Sequence, residues 1–181
     1  MGIVVGIAVG VILIFLIGWV IATYNGIRKT DLKYQEALSD VDVALAKRHD
    51  ELTKLLGAAK KYSEYEQATI LQTINLRKNT PLSEKIKASN KMDKVQTYLF
   101  GLMENYPDLK ASVNWQELQA GIEDCEEHLQ AARRCVNANA TQYNNYIVTF
   151  PSSVIANMFG CKVPKPYWEA TDEQKQDVVI E

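Results

Sequence analysis

Charge is absent from the start of this chain: no Asp, Glu, Lys or Arg falls between Ile3 and Ala22. As a helix those 20 residues span about 30 Å, the thickness of a bilayer's hydrocarbon core. Other scarcities narrow the class further. Nine Gly and five Pro in 181 residues are too few for a disordered linker or a turn-rich β domain. Three cysteines, Cys125, Cys135 and Cys161, form no C-x-x-C pair and no disulfide framework. A net charge of −2 provides no field for nucleic acid, and no basic patch is interleaved with aromatics. Phosphate-binding glycine loops, G-x-S-x-G and H-E-x-x-H are all missing. The histidines His49 and His128 have no converging ligands beyond the single spacing Cys125-x-x-His128. No catalytic, metal or cofactor-binding residue is therefore expected, and the chain does not read as an enzyme.

What is present begins with that apolar run. A cleaved signal peptide needs a basic start, a shorter apolar core and an A-x-A-like exit, none of which is here. An uncleaved anchor over residues 1–23 is the reading. Arg28, Lys29 and Lys33 follow the run and no basic residue precedes it, so the N-terminus is expected outside and the C-terminal domain in the cytoplasm. Gly2, Gly6 and Gly10 make two overlapping G-x-x-x-G units, with Gly18 further along the same line. Small residues on one stripe let helix backbones approach closely in lipid, which predicts self-association.

From Tyr34 an alternating four-three spacing runs through Leu38, Val41, Leu45, Arg48, Leu52, Leu55 and Ala59 towards Leu76. This is the seam of a coiled coil or long bundle helix. The pattern predicts helices over residues 24–79, 83–105 and 114–149, separated by Thr80-Pro81 and Tyr106-Pro107. The fold class is all-α: a transmembrane helix continuing into a three- or four-helix antiparallel bundle. Lys85, Lys87, Lys91 and Lys94 read as a solvated face of the second helix. An up-down-up arrangement covers only the distal part of the first helix, so Leu38, Val41 and Leu45 are expected to lie bare. Other copies of the chain, making a homo-oligomer, are the economical cover; a folded-back tail competes. The lipid bilayer is the first partner, another membrane protein gripped by the basic face or the aromatic tail an alternative, and nucleic acid none.

Arg48, Glu66 and Asn139 interrupt the apolar lines, and buried charge demands partners. Glu126 and Arg133, seven apart on the third helix, share one face. Registry between helices, a ligand site and acid–base chemistry are the three roles such residues fill; registry is the ordinary one.

Particular runs then resemble the LemA family: Tyr24-Asn25, the stretch Ala37-Leu38-Ser39-Asp40-Val41-Asp42-Val43-Ala44-Leu45-Ala46-Lys47-Arg48, Tyr62 with Glu66, and Tyr106-Pro107-Asp108-Leu109-Lys110. Glu126, Arg133-Arg134, Asn137, Tyr143-Asn144, Phe150-Pro151 and Pro166-Tyr167-Trp168-Glu169 continue it in order. The pattern departs at Thr53-Lys54, Tyr65 and Val136. The resemblance implies an N-terminal membrane helix, a cytoplasmic helical bundle and no enzymatic activity. It also implies an inter-helix polar network that includes Glu66, Glu126, Arg133, Asn137 and Asn144. Residues 151–181 form a tail, with a short helix over residues 152–160 closed by Gly160 and an extended Lys162–Trp168. Val154, Ile155, Met158, Phe159, Tyr167 and Trp168 are too apolar to hang free, and are expected to pack on the bundle, a second subunit or a membrane surface.

Overall fold

The structure is a computed structural model that describes residues 1–59, 71, 74 and 80–169, the side chain of Leu109 excepted. Among the described residues every regular element is a helix: α1 Gly2–Ala58, α2 Leu82–Asn105, α3 Pro107–Lys110, α4 Val113–Val148 and α5 Ser152–Met158. Among those residues α1 includes the one stretch long and apolar enough to cross a membrane, and none of that stretch is buried. The chain divides into two units, Met1–Glu36 with Val136–Tyr167, and Ala37–Cys135 with Trp168–Glu181.

In the second unit the seam behaves as its spacing predicts. Val41, Leu45, Leu52 and Leu55 on α1, Met92, Val95 and Leu99 on α2, and Trp115, Ile122, Cys125 and Leu129 on α4 are all fully buried. Apolar side chains recurring every 3.5 residues stay on one side of each helix, and burying that side excludes water from all three. The direction of the helices is different from expectation. α1 ends at Ala58, with Ala59 in a turn just past Gly57, and the rest of the stretch expected to continue it to residue 79 lies, but for Leu71 and Ile74, outside the described residues. His49 Nε2 lies 3.3 Å from the carbonyl oxygen of Leu71, 22 residues on. A continuous helix puts those residues about 33 Å apart, so the chain has already doubled back by Leu71.

That early reversal changes everything after it. Lys85 pairs with Asp42 and Asp93 with Arg48, so α2 runs parallel to α1. On α4, Glu126 meets Arg48 while Gly121 faces Glu51, so α4 runs antiparallel to α1. Ser89 bonds to Arg133, which sets α4 antiparallel to α2 as well. The expected up-down-up order is thus corrected to one in which α2 starts beside Leu38 and Asp42. This covers the stretch expected to lie bare. Val41 and Leu45 are 0 % exposed within a single chain and Leu38 is half-buried. The argument for self-association from an exposed stripe on the soluble helix falls with that expectation.

The first unit pairs α1 with the end of α4, again antiparallel: Asn139 bonds to the Lys33 carbonyl and Tyr146 lies against Gly26. Its small core joins Ile27, Tyr143, Ile147 and Ala156, flanked by Tyr146 and Cys161. Thr30 is buried because its hydroxyl donates to the Ile27 carbonyl at 2.8 Å. α5 is closed as predicted at Gly160, whose φ of 77° suits a residue without Cβ. Cys161 N–H donates to the Ala156 carbonyl at 2.8 Å and Gly160 N–H to that of Asn157, the double bond of a Schellman end. α4 begins at Val113, one residue before the start expected at 114.

Candidate functional site

Two groups of polar side chains stand out, one in each unit. In the second unit Arg48 is 1 % exposed on the α1 seam. Its Nη1 reaches Asp93 Oδ1 at 2.7 Å, and its Nη2 reaches both Glu126 Oε1 and Gln96 Oε1 at 2.7 Å. One guanidinium fork therefore ties α1 to α2 and α4 at the same level. A buried cation is tolerated only with such partners; Gln96 accepts its hydrogen bond, while Asp93 and Glu126 pair with it as charges. Arg133 lies half-buried beside this group: its Nη2 donates to Ser89 Oγ at 2.6 Å, and its Cζ sits 4.9 Å over the Trp168 ring. Burial pulls the Arg133 guanidinium below its ordinary pKa, while Glu126 and Asp93 push it back up. Two guanidinium groups thus face two carboxylates, and the group neutralises itself.

Lys85 corrects another expectation. It is 3 % exposed, not part of the solvated face, and its ammonium pairs with Asp42 and donates to the Leu38 carbonyl at 3.3 Å. Lys87, Lys91 and Lys94 keep the exposed positions expected of them. The signal was available, since Lys85 lies seven residues before Met92 on the seam. Cys125 is buried, which pushes its thiol pKa up and keeps it in the unreactive protonated form.

In the first unit Asn144 acts as a latch for the chain beyond α5. Lys165 N–H donates to Asn144 Oδ1 at 2.7 Å, and Asn144 Nδ2 donates to the Lys165 carbonyl at 3.0 Å and the Tyr167 hydroxyl at 3.2 Å. A side-chain amide here pairs with a peptide group as a neighbouring strand would. Lys165 Nζ then forms an ion pair with Asp31 Oδ1 at 2.6 Å, with the Tyr34 and Tyr143 rings 5.5 and 4.9 Å away. The Tyr34 hydroxyl donates to the Pro166 carbonyl at 3.1 Å. Burial raises the pKa of Tyr34 and of Tyr143, keeping both hydroxyls protonated.

The residues expected to form one network therefore fall into separate sets. Arg48, Glu126 and Arg133 come together in the second unit; Asn139 and Asn144 belong to the first, each bonded to backbone. Asn137 is half-buried, and its carbonyl accepts the Thr141 hydroxyl. Glu66 lies outside the described residues. Gly2, Gly6, Gly10 and Gly18 have open space where a Cβ would project. Sequence reasoning missed Asp93, Gln96 and Ser89, which flank the apolar seam of α2 instead of interrupting it. It also missed Lys165, which lies on an extended segment with no periodicity to reveal it. Among the described residues no three His, Cys, Asp or Glu side chains gather closely enough to hold a metal ion.

A family profile described as the LemA family matches residues 37–181. A curated relative, Protein LemA of Metamycoplasma hominis, is 28 % identical over 141 residues, covering 73 % of this chain. The chain spans 63 % of that relative's length. With a family match over most of its length, this chain belongs to the LemA family.

Proposed function

We propose that the chain is a single-pass, non-enzymatic helical scaffold of the cell membrane that self-associates and organises or shapes the bilayer. One observation carries this reading: the apolar span of α1 is uncovered along its length, whereas the seam of α1 from Val41 to Leu55 is covered by its own chain. The seam of α1 beyond the span needs no second copy to cover it, so the span and its open line at Gly2, Gly6, Gly10 and Gly18 are where copies meet. The charged seam supports a structural role, because its guanidinium and carboxylate groups are occupied with one another.

The test is the mass of the full chain in mild detergent. A defined oligomer is expected, shifting to monomer on combining Gly6→Leu with Gly10→Leu; a wild-type monomer defeats the scaffold. Orientation is read at Cys135, which is exposed. A membrane-impermeant maleimide should label it only after cells are permeabilised, and labelling in intact cells reverses the topology.

A further inference from the structure

We infer that α5 and its flanks, Phe150 to Phe159, form a collar that lies in the lipid headgroup layer of the membrane holding the anchor. The inference rests on the reading of Ile3–Ala22 as a membrane span, and it goes further by assigning a second, peripheral lipid contact.

Depth is the first argument. The Phe159 ring packs on the Tyr24 ring with centroids 4.6 Å apart. Tyr24 is two residues beyond Ala22, only about 3 Å along the helix from the end of the hydrocarbon-length run. Ala156 packs with Ile27, about 7–8 Å beyond that same point. A headgroup layer is roughly 5–8 Å thick on each face, so both contacts fall inside it.

The second argument is what the collar leaves uncovered. Ile155 and Ala156 are buried against the unit's core, yet Phe150 is 79 % exposed, Met158 71 %, Phe159 50 % and Val154 48 %. Tyr143 and Tyr146, in the last turns of α4, are covered, whereas Phe150, just past the helix end, is not. A short helix with one apolar side packed inward and apolar side chains still outward is made for two apolar surroundings. The Schellman end fixes how that helix is presented.

Charge points to the same occupant. From His128 to Trp168 there is no acidic residue, so the collar itself carries no charge that repels phosphate. Arg28, Lys29 and Lys162 are exposed in the same unit and complement anionic headgroups. A bilayer interface meets all three conditions at once: the depth, the apolar insertion and the basic margin.

The test places a photo-crosslinking benzoylphenylalanine at one position at a time in the full chain, reconstituted in phosphatidylcholine–phosphatidylglycerol vesicles. Met158 and Phe150 report the collar and Ile12 reports the anchor. Leu32, 61 % exposed and ten residues past Ala22, is the control that sits about 15 Å beyond the hydrocarbon. All four side chains are exposed, and far-ultraviolet circular dichroism checks that each variant keeps its helices. Lipid adducts at Ile12, Met158 and Phe150, about tenfold above those at Leu32, are the expected result. Adducts at Ile12 without adducts at Met158 and Phe150 overturn the collar and leave the anchor standing. Adducts to a second copy at those positions, or equal labelling at Leu32, overturn it too. No lipid adduct at Ile12 overturns the anchor and the collar together.

Discussion

The unit built on Ala37–Cys135 buries Arg48, Lys85 and Ser89 at 1 %, 3 % and 0 % exposure, and pairs each with another helix. The unit built on Met1–Glu36 and Val136–Tyr167 buries one such residue, Thr30, whose hydroxyl returns to its own helix. Exposed apolar side chains are distributed the other way. Outside the anchor and among the described residues, the second unit exposes Val43, Tyr106 and Val113, whereas the first exposes Leu32, Val148, Phe150, Val154, Met158, Phe159, Val163 and Tyr167. Charge on a seam costs stability in exchange for a unique register, a trade suited to helices that must align in water. Apolar surface left open is tolerated only where the surroundings are apolar. On the membrane reading proposed above, the two units are built for different solvents.

The sharpest way to break this comparison is a crossed pair of variants. Leu45→Ala removes a fully buried side chain and should cost about 3 kcal/mol in denaturant unfolding of the detergent-solubilised chain. It should leave the subunit number unchanged. Gly6→Leu with Gly10→Leu should do the reverse, since an added side chain there meets open space within one copy. If Leu45→Ala dissociates an oligomer at unchanged stability, Leu45 is an interface residue and the contrast between the units collapses.

Much of this contrast was legible beforehand, and the part that was not has a physical reason. Burial on a helix has a period, so Val41, Leu45, Leu52, Met92, Ile122 and Leu129 were identifiable without coordinates. Periodicity says nothing about where a helix reverses. The stop at Pro81 is strong and was read; the stop at Gly57–Ala59 is weak, because Ala favours helix and a single Gly costs only about 1 kcal/mol. Placing the turn some twenty residues late inverted the direction of α2 and α4, and left Val41 and Leu45 bare on paper. The charge of Lys85 points to a solvated face while its heptad position points inward, and Lys165 gives no sequence signal because its partners come from tertiary folding of a non-helical segment.

Arg48→Met sharpens the meaning of the buried seam. It leaves Asp93 and Glu126 near each other without their shared cation, at 34 % and 24 % side-chain exposure. Because water still reaches both carboxylates, the expected loss is about 2 kcal/mol, below that for a fully enclosed pair. Adding Glu126→Gln should restore part of it. A destabilised double variant with altered helix packing by cysteine crosslinking would show that the fork sets register; full recovery would show that it merely tolerates burial.

Asn144→Ala probes the first unit. It removes both bonds that hold the Lys165 peptide group, at 2.7 and 3.0 Å, from a partly buried position. About 1–2 kcal/mol of local stability should go, since each net hydrogen bond contributes about 1 kcal/mol. The loss should read out as faster hydrogen exchange around Lys165 and tryptic cleavage at Lys162, with the melting of the other unit unchanged. Uniform loss across both units would mean that the latch supports the whole fold.

The smallest effect belongs to Lys47 and Asp124, joined at 2.6 Å on the surface of the second unit. Their hydrogen bond holds the Asp124 carboxyl below the ordinary aspartate range and the Lys47 ammonium above the ordinary lysine range. A depressed carboxylate contributes stability above its unfolded pKa and loses it as pH falls through the lower folded value. A raised ammonium contributes below its unfolded pKa and loses it as pH climbs through the higher folded one. Between those limits the pair is intact, yet both side chains are about half exposed, at 49 % and 52 %, and water and salt screen them. Asp124→Asn should therefore leave the unfolding midpoint unmoved at physiological ionic strength and neutral pH, with a small drop only in low salt. The same geometry in the buried fork of Arg48 is expected to matter, so the exposed pair is its control. If Asp124→Asn destabilises as much as Arg48→Met, burial is not what gives the charged seam its importance.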